Sequence, residues 1–127
     1  MIAVDTSALI AIVRGEPESD ACIAALEAED RVVISAGTVA EALIVSAQKN
    51  VREEVAGLID DLRIEVVPVT RGTAERAADA YARFGRGNHR AALNFGDCFA
   101  YELAKENACP LLYVGKDFAK TDIKSVL

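Results

Sequence analysis

Short apolar runs, mostly β-branched, alternate along the chain with segments whose apolar positions recur every three or four residues. Ile2-Ala3-Val4 is the first run, and Leu9, Ile10 and Val13 predict a helix over 6–14 that stops at Gly15. Pro17 suits the first turn of a second helix, which turns Cys22, Ile23 and Leu26 to one side. Arg31-Val32-Val33-Ile34-Ser35 predicts a strand buried on both faces. Two helices should follow, one through about Asn50 with Val39, Leu43 and Ile44, the other over 51–62 with Val55, Leu58 and Ile59. A third strand is expected over 64–69 and a helix over 71–84. A polar loop over 85–90 leads to a helix over 94–107. Pro110 then introduces a strand over 111–114, a loop covers 115–122, and 123–127 is expected to add a last strand.

Strands alternating with helices favour a parallel sheet covered on both faces. The expectation is one domain over 1–127, a three-layer α/β/α sandwich around a mainly parallel sheet of about four or five strands. Half of the residues are apolar, enough for a core of that kind. No apolar run approaches the length of a membrane span. No basic n-region precedes the first apolar run, so a secretory leader is not expected. Cys22, Cys98 and Cys109 are odd in number and widely spaced, which suits reduced thiols in a cytoplasmic protein and gives neither a disulfide framework nor a zinc pattern. The net charge of −6 excludes a protein that coats nucleic acid by bulk positive charge, but not an enzyme with a local site for it.

The candidate chemistry lies in acids set among apolar neighbours. Asp5 is the only charged residue between Met1 and Val13, Glu41 the only one between Val32 and Gln48, and Asp97 the only one between Ala91 and Tyr101. A lone carboxylate is costly to bury. Asp5 directly follows the first expected strand, Glu41 lies just past the second, and Asp117 lies three residues past the fourth. In parallel sheets, sites form beyond these carboxyl ends; Asp97, near the start of its helix, can join them. Each acid also fits a structural role. Asp5 can cap the first helix, Thr38-x-x-Glu41 matches a capping box, Asp97 suits a helix start, and Asp117 suits a turn. Those roles do not account for the shared location.

Two full charges about 5 Å apart repel by roughly 3 kcal/mol at an effective dielectric near 20. A group of three or four therefore calls for a cation, and all-oxygen ligands suit Mg²⁺ or Mn²⁺. Hydrolysis of a phosphodiester is the reaction such a group serves best.

Four segments resemble the PIN-domain ribonucleases, in the right order along the whole chain. Met1-Ile2-Ala3-Val4-Asp5-Thr6-Ser7 resembles the family's opening strand and D-T-[SN] motif, and Ala40-Glu41-Ala42-Leu43 its second acid. Leu93-Asn94-Phe95-Gly96-Asp97 through Tyr101 is similar to the L-N-x-G-D-x-x-x-Y segment of the VapC toxins, and 111–123 to their L-L-x-x-G-x-D-F-x-x-T-D-I close. Lys116 departs from the Asn often found after that glycine. The resemblance implies that Asp5, Glu41, Asp97 and Asp117 hold Mg²⁺ or Mn²⁺ directly or through water. It implies that Ser7 orients Asp5, with Thr121 and Asp122 as supporting residues and Asp122 a fifth, outer acid. It further implies a homodimer that acts as the toxin of a toxin–antitoxin pair, cleaving RNA to arrest translation, with a small antitoxin reaching the acidic pocket with a basic side chain.

Arg71, Arg76, Arg83, Arg86 and Arg90 are opposed locally only by Glu75 and Asp79, while Lys116, Lys120 and Lys124 form a second basic group. Lys116, Lys120, Arg86 and Arg90 are the candidates for contact with RNA; a solvated face with local ion pairs is the alternative. His89, the only histidine, sits in a polar loop with no nucleophile motif. Tyr81, Phe84, Phe95, Phe99 and Tyr101 lie mostly at helical spacing and are expected in the core, with base stacking as the alternative. Two other functions compete. An acid-nucleophile phosphatase needs a second Asp where Ser7 stands, and a catalytically inactive PIN-like binding module would not need all four acids.

Overall fold

The computed structural model of the chain describes residues 1–127. Its strands are β1 (Ile2–Val4), β2 (Val32–Ser35), β3 (Glu65–Val67) and β4 (Leu111–Leu112). Its helices are α1 (Thr6–Val13), α2 (Ser19–Ala28), α3 (Ala36–Gln48), α4 (Arg52–Asp61), α5 (Arg71–Phe84) and α6 (Phe95–Glu106), with a 3-10 turn at Phe118–Lys120. All strand pairs are parallel, in the order β3-β2-β1-β4.

The period of two along a strand divides the core. Ile2, Val4, Val32, Ile34 and Leu112 point to one face, where they meet Leu9, Cys22, Leu26, Ala42, Val55 and Ile59 from α1 to α4. Ala3, Val33 and Leu111 point to the other, against Ala77, Ala80 and Phe84 of α5 and Ala100, Leu103 and Ala104 of α6. The structure is thus the expected three-layer α/β/α sandwich. Ala3, Ala100 and Ala104 are all fully buried, so α6 lies close over the middle of the sheet.

Two edges are shorter than expected. β3 stops at Val67, before Pro68, which has no N–H for the ladder. β4 keeps only Leu111 and Leu112, because the next free donor, the Val114 amide, is taken by Ser7 Oγ at 3.0 Å. The expected last strand reduces to one bridge between Leu111 and Ser125, held by Leu111 N–H to Lys124 O and Val126 N–H to Leu111 O. The three cysteines are free and buried, and no helix is long and apolar enough to cross a membrane.

Ile34 is fully buried in the central strand β2. Ile34→Ala should lower unfolding free energy by about 2–5 kcal/mol, as buried truncations do. Urea denaturation of the two proteins measures it; a difference under about 1 kcal/mol would contradict this packing.

Candidate functional site

From β1 the chain steps to β2 and β3 on one side, and later returns to β4 on the other. The carboxyl end of β1 is therefore the point where a parallel sheet opens a crevice. Asp5, Thr6 and Ser7 occupy that point, and each side chain is held from a different direction. Asp5 caps α1: its Oδ2 accepts from the Ser7 backbone N–H at 3.0 Å and from Ser7 Oγ at 2.7 Å. Ser7 Oγ in turn accepts from Val114 N–H, which ties β1 to the chain leaving β4. The outer oxygen, Asp5 Oδ1, is buried and has no partner.

Glu41 enters from α3. The helix is capped one turn before the predicted position, by Ser35 accepting from Gly37 N–H, so Thr38-x-x-Glu41 is not a capping box. Glu41 instead lies inside the helix and accepts from Thr6 Oγ1 at 2.6 Å. Gly96 faces the same carboxylate, and a Cβ there would collide with Glu41 Oε2. Asp97 belongs to a capping box that starts α6: its Oδ2 accepts from Asn94 N–H at 3.0 Å, and Asn94 Oδ1 accepts from Asp97 N–H at 2.8 Å. Its capping role and its place at the site therefore coexist.

These elements enclose a cleft of about 280 Å³ lined by Asp5, Thr6, Ser7, Glu41, Asp97 and Glu16, among others. Asp117 does not line it. It is exposed beyond a turn at Gly115, whose φ of +111° suits glycine, and it acts on the cleft by its charge on Asp97. Glu16 is an acid that sequence reasoning missed. It follows Arg14 and precedes Glu18, so nothing in the sequence isolates it from ordinary surface charge.

Burial and mutual repulsion both act against the charges of the cleft. Asp5 is only 3% exposed. Burial pushes its pKa from 3.8 to about 7; the Ser7 hydrogen bonds oppose this, and the charges of Asp97 and Glu41 add to it. Burial likewise lifts Asp97 to about 6, with Glu41 and Asp117 raising it further and the Asn94 amide and Arg86 working against the rise.

The other predicted residues are placed elsewhere or differently. Asp122 is not an outer acid of the cleft. Its Oδ1 accepts from Tyr101 Oη at 2.6 Å, and its Oδ2 pairs with Lys105 at 3.1 Å and Arg83 at 3.4 Å. Burial opposes its charge, but those hydrogen bonds and cations outweigh it and hold the carboxyl below its usual range. Thr121 closes the 3-10 turn through Phe118 O and Ile123 N–H, away from the acids. Of the arginines, Arg71 pairs with Glu75, Arg76 with Glu102 and Glu106, and Arg83 with Asp122. Arg86, Arg90, Lys116 and Lys120 are exposed and outside these pairs. Tyr81 and Phe95 were expected in the core and are exposed instead.

The donor set fits a small divalent cation. It is all oxygen, it includes a buried carboxylate oxygen without a partner, and burial, with the neighbouring acids adding to it, raises Asp5 to about 7 and Asp97 to about 6. No three carboxylates converge tightly enough to wrap one ion by themselves. An ion held here would therefore need water to complete its shell, as Mg²⁺ and Mn²⁺ commonly do.

A family model for the PIN domain matches residues 2–124. Ribonuclease VapC36 of Mycobacterium tuberculosis is 45% identical over 126 residues, covering 95% of this chain and 90% of the relative. Ribonuclease VapC30 of the same species is 40% identical over 129 residues, covering 97% and 96%. Among solved structures, Mycobacterium tuberculosis VapC20, described as a Sarcin-Ricin loop cleaving toxin, superposes with a TM-score of 0.81 at 17% identity, covering 99% of this chain and 98% of that one. A toxin-antitoxin complex from Klebsiella pneumoniae gives 0.71 at 19% identity, covering 96% and 93%.

Asp5 titrates at 3.8 when unfolded and at about 7 when folded, so the folded protein holds the extra proton between those values. Its contribution to stability is present below pH 4 and lost as pH rises to 7. In chelator, the melting temperature of the wild type relative to Asp5→Asn should fall steadily across that window, leaving the variant more stable at pH 8 by several degrees. Calorimetry at four pH values checks this; a constant or rising difference contradicts the buried, unpaired carboxylate.

Proposed function

The chain belongs to the PIN-domain family, and from that membership we propose that it is a metal-dependent endoribonuclease, the toxin of a toxin–antitoxin pair. The observation that supports this most is the buried Asp5 carboxylate, one oxygen fixed by Ser7 and the other without a partner, in a residue that lines a cleft with Glu41 and Asp97. The curated relatives at 38–45% identity carry ribonuclease names.

Asp5, Glu41 and Asp97 would hold Mg²⁺ or Mn²⁺, with Asp117 adding charge from outside. When bound, such an ion neutralises the carboxylates and acts as a Lewis acid on water and on the scissile phosphate. The chain's own part is orientation. Ser7 fixes the rotation of Asp5 through Oδ2, which leaves Oδ1 buried and without a partner. Thr6 holds one oxygen of Glu41, and Gly96 leaves room for the other. The Asn94 capping box sets Asp97 on the first turn of α6, whose N-terminal dipole favours negative charge there. Arg86 acts by its charge on Asp97, and Arg90, Lys116 and Lys120 are exposed and outside the ion pairs, so these four would be the cations offered to flanking phosphates. Water adds across one P–O bond, giving one end with a phosphate monoester and one with a hydroxyl.

A cytoplasmic setting, a second copy of the chain and an antitoxin belong to the same proposal. Solved neighbours include a toxin-antitoxin complex, a VapBC2 complex from Rickettsia felis bound to promoter DNA, and FitAB bound to a DNA fragment. A basic antitoxin side chain would find in the acidic cleft the same charge that draws a cation.

With Mn²⁺ and a mixed RNA pool, the wild type should leave discrete cuts, and chelator should abolish them. Asp5→Asn and Asp97→Asn should each slow cutting by about 100-fold or more, the scale of losing one preorganised electrostatic group. Metal-independent cutting, or full activity in either variant, would refute the proposal. Gly96→Ala, which displaces Glu41, should also lose most of its activity while melting within a few degrees of the wild type. Unchanged cutting by this variant would remove Glu41 from the site.

A further inference from the structure

Phe95 is 75% exposed, the most exposed large apolar side chain of the protein, and it stands on the first turn of α6, two residues before Asp97. Only one aromatic ring touches it, Phe99, edge-on at 5.1 Å. Beside it opens a hollow of about 450 Å³ whose four lining residues are Phe95, Tyr81, Arg86 and Asn94. This hollow adjoins the acidic cleft, because Asn94 N–H donates to Asp97 Oδ2 at 3.0 Å. The Asn94 amide oxygen is taken by Asp97 N–H, which leaves its NH₂ free to donate. Arg86 is exposed and is not among the arginines held by ion pairs.

An aromatic face, a free amide donor and a free guanidinium around one hollow make the set that binds a nucleotide: a π surface for the base, a donor for its edge, and a cation for its phosphate. We propose that Phe95, Asn94 and Arg86 form a subsite for one unpaired nucleotide of the RNA next to the scissile phosphate, with its base stacked on Phe95. The proposal rests on the ribonuclease reading. Charge favours RNA over a protein partner here. Arg86, exposed and outside the ion pairs, lines the hollow beside Phe95 and Asn94, so a polyanion meets an unpaired cation there. The subsite also selects for single-stranded RNA, since a base in a duplex cannot leave its stack to reach the ring.

The test is steady-state cleavage in Mn²⁺ of a single-stranded oligoribonucleotide that the wild type cuts, with sedimentation at the same protein concentration. Phe95→Ala should raise KM by about tenfold or more with kcat within twofold, since stacking is lost equally before and during the reaction. Phe95→Trp should restore KM. Arg86→Ala should raise KM and reduce the slope of log KM against log salt by about 0.7, the value for one phosphate contact on a single strand. Two results overturn the subsite while leaving the ribonuclease intact: an unchanged KM for Phe95→Ala, or a raised KM that tracks dissociation of a dimer, which would assign the ring to contact between copies. A wild type that cuts no RNA overturns the ribonuclease reading as well.

Discussion

The structure turns on one carboxylate whose charge is opposed where it stands, since burial raises the Asp5 pKa to about 7. Asp5 directly follows β1, is removed from water, and has one oxygen satisfied and one not. An unpaired buried charge costs several kcal/mol in general, so the isolated protein holds a proton there near neutrality. Glu41 and Asp97 share the same cleft and worsen the repulsion. A small cation bound there would offset the burial cost and the mutual repulsion together. The neighbouring residues look arranged for that outcome: Ser7 turns Asp5, Thr6 holds Glu41, Gly96 makes room, and Asn94 anchors Asp97.

Sheet order explains why the acids meet. A parallel sheet whose connections reverse at β1 opens a crevice there, and β2 delivers α3 and its Glu41 to the same end. α6 crosses close to the sheet over Ala3, and this brings the first turn of that helix, with Asp97, to the crevice. The small residues of the core and the acids of the site are therefore linked: a bulky side chain at Ala3 or Ala100 would move Asp97 as well as disturb the packing.

Much of this was legible in the sequence, for physical reasons. The strands were visible because β-branched runs are short and continuous, and the helices because their apolar spacing is regular. Asp5, Glu41 and Asp97 stood out because each is the lone charge in an apolar stretch, and burying a charge needs a cause. Glu16 carried no such signal, because it lies among charged neighbours. Asp122 misled because its place in the chain resembles the family motif, whereas its partners, Tyr101 and Lys105, come from a helix far away in sequence. The expected last strand reduces to a single bridge, Leu111 to Ser125, beside a β4 that is only two residues long. Phe95 sits at helical spacing but on a first turn that overhangs the site, where periodicity does not report burial.

The central claim is that a divalent cation replaces protons on buried carboxylates. Titration calorimetry of Mn²⁺ into the metal-free protein at pH 6, in two buffers of different ionisation enthalpy, tests it directly. Binding should be measurable and should release about one proton or more, a release that fades by pH 8 as Asp5 and Asp97 lose their protons beforehand. No binding, or binding with no proton release at pH 6, would contradict it.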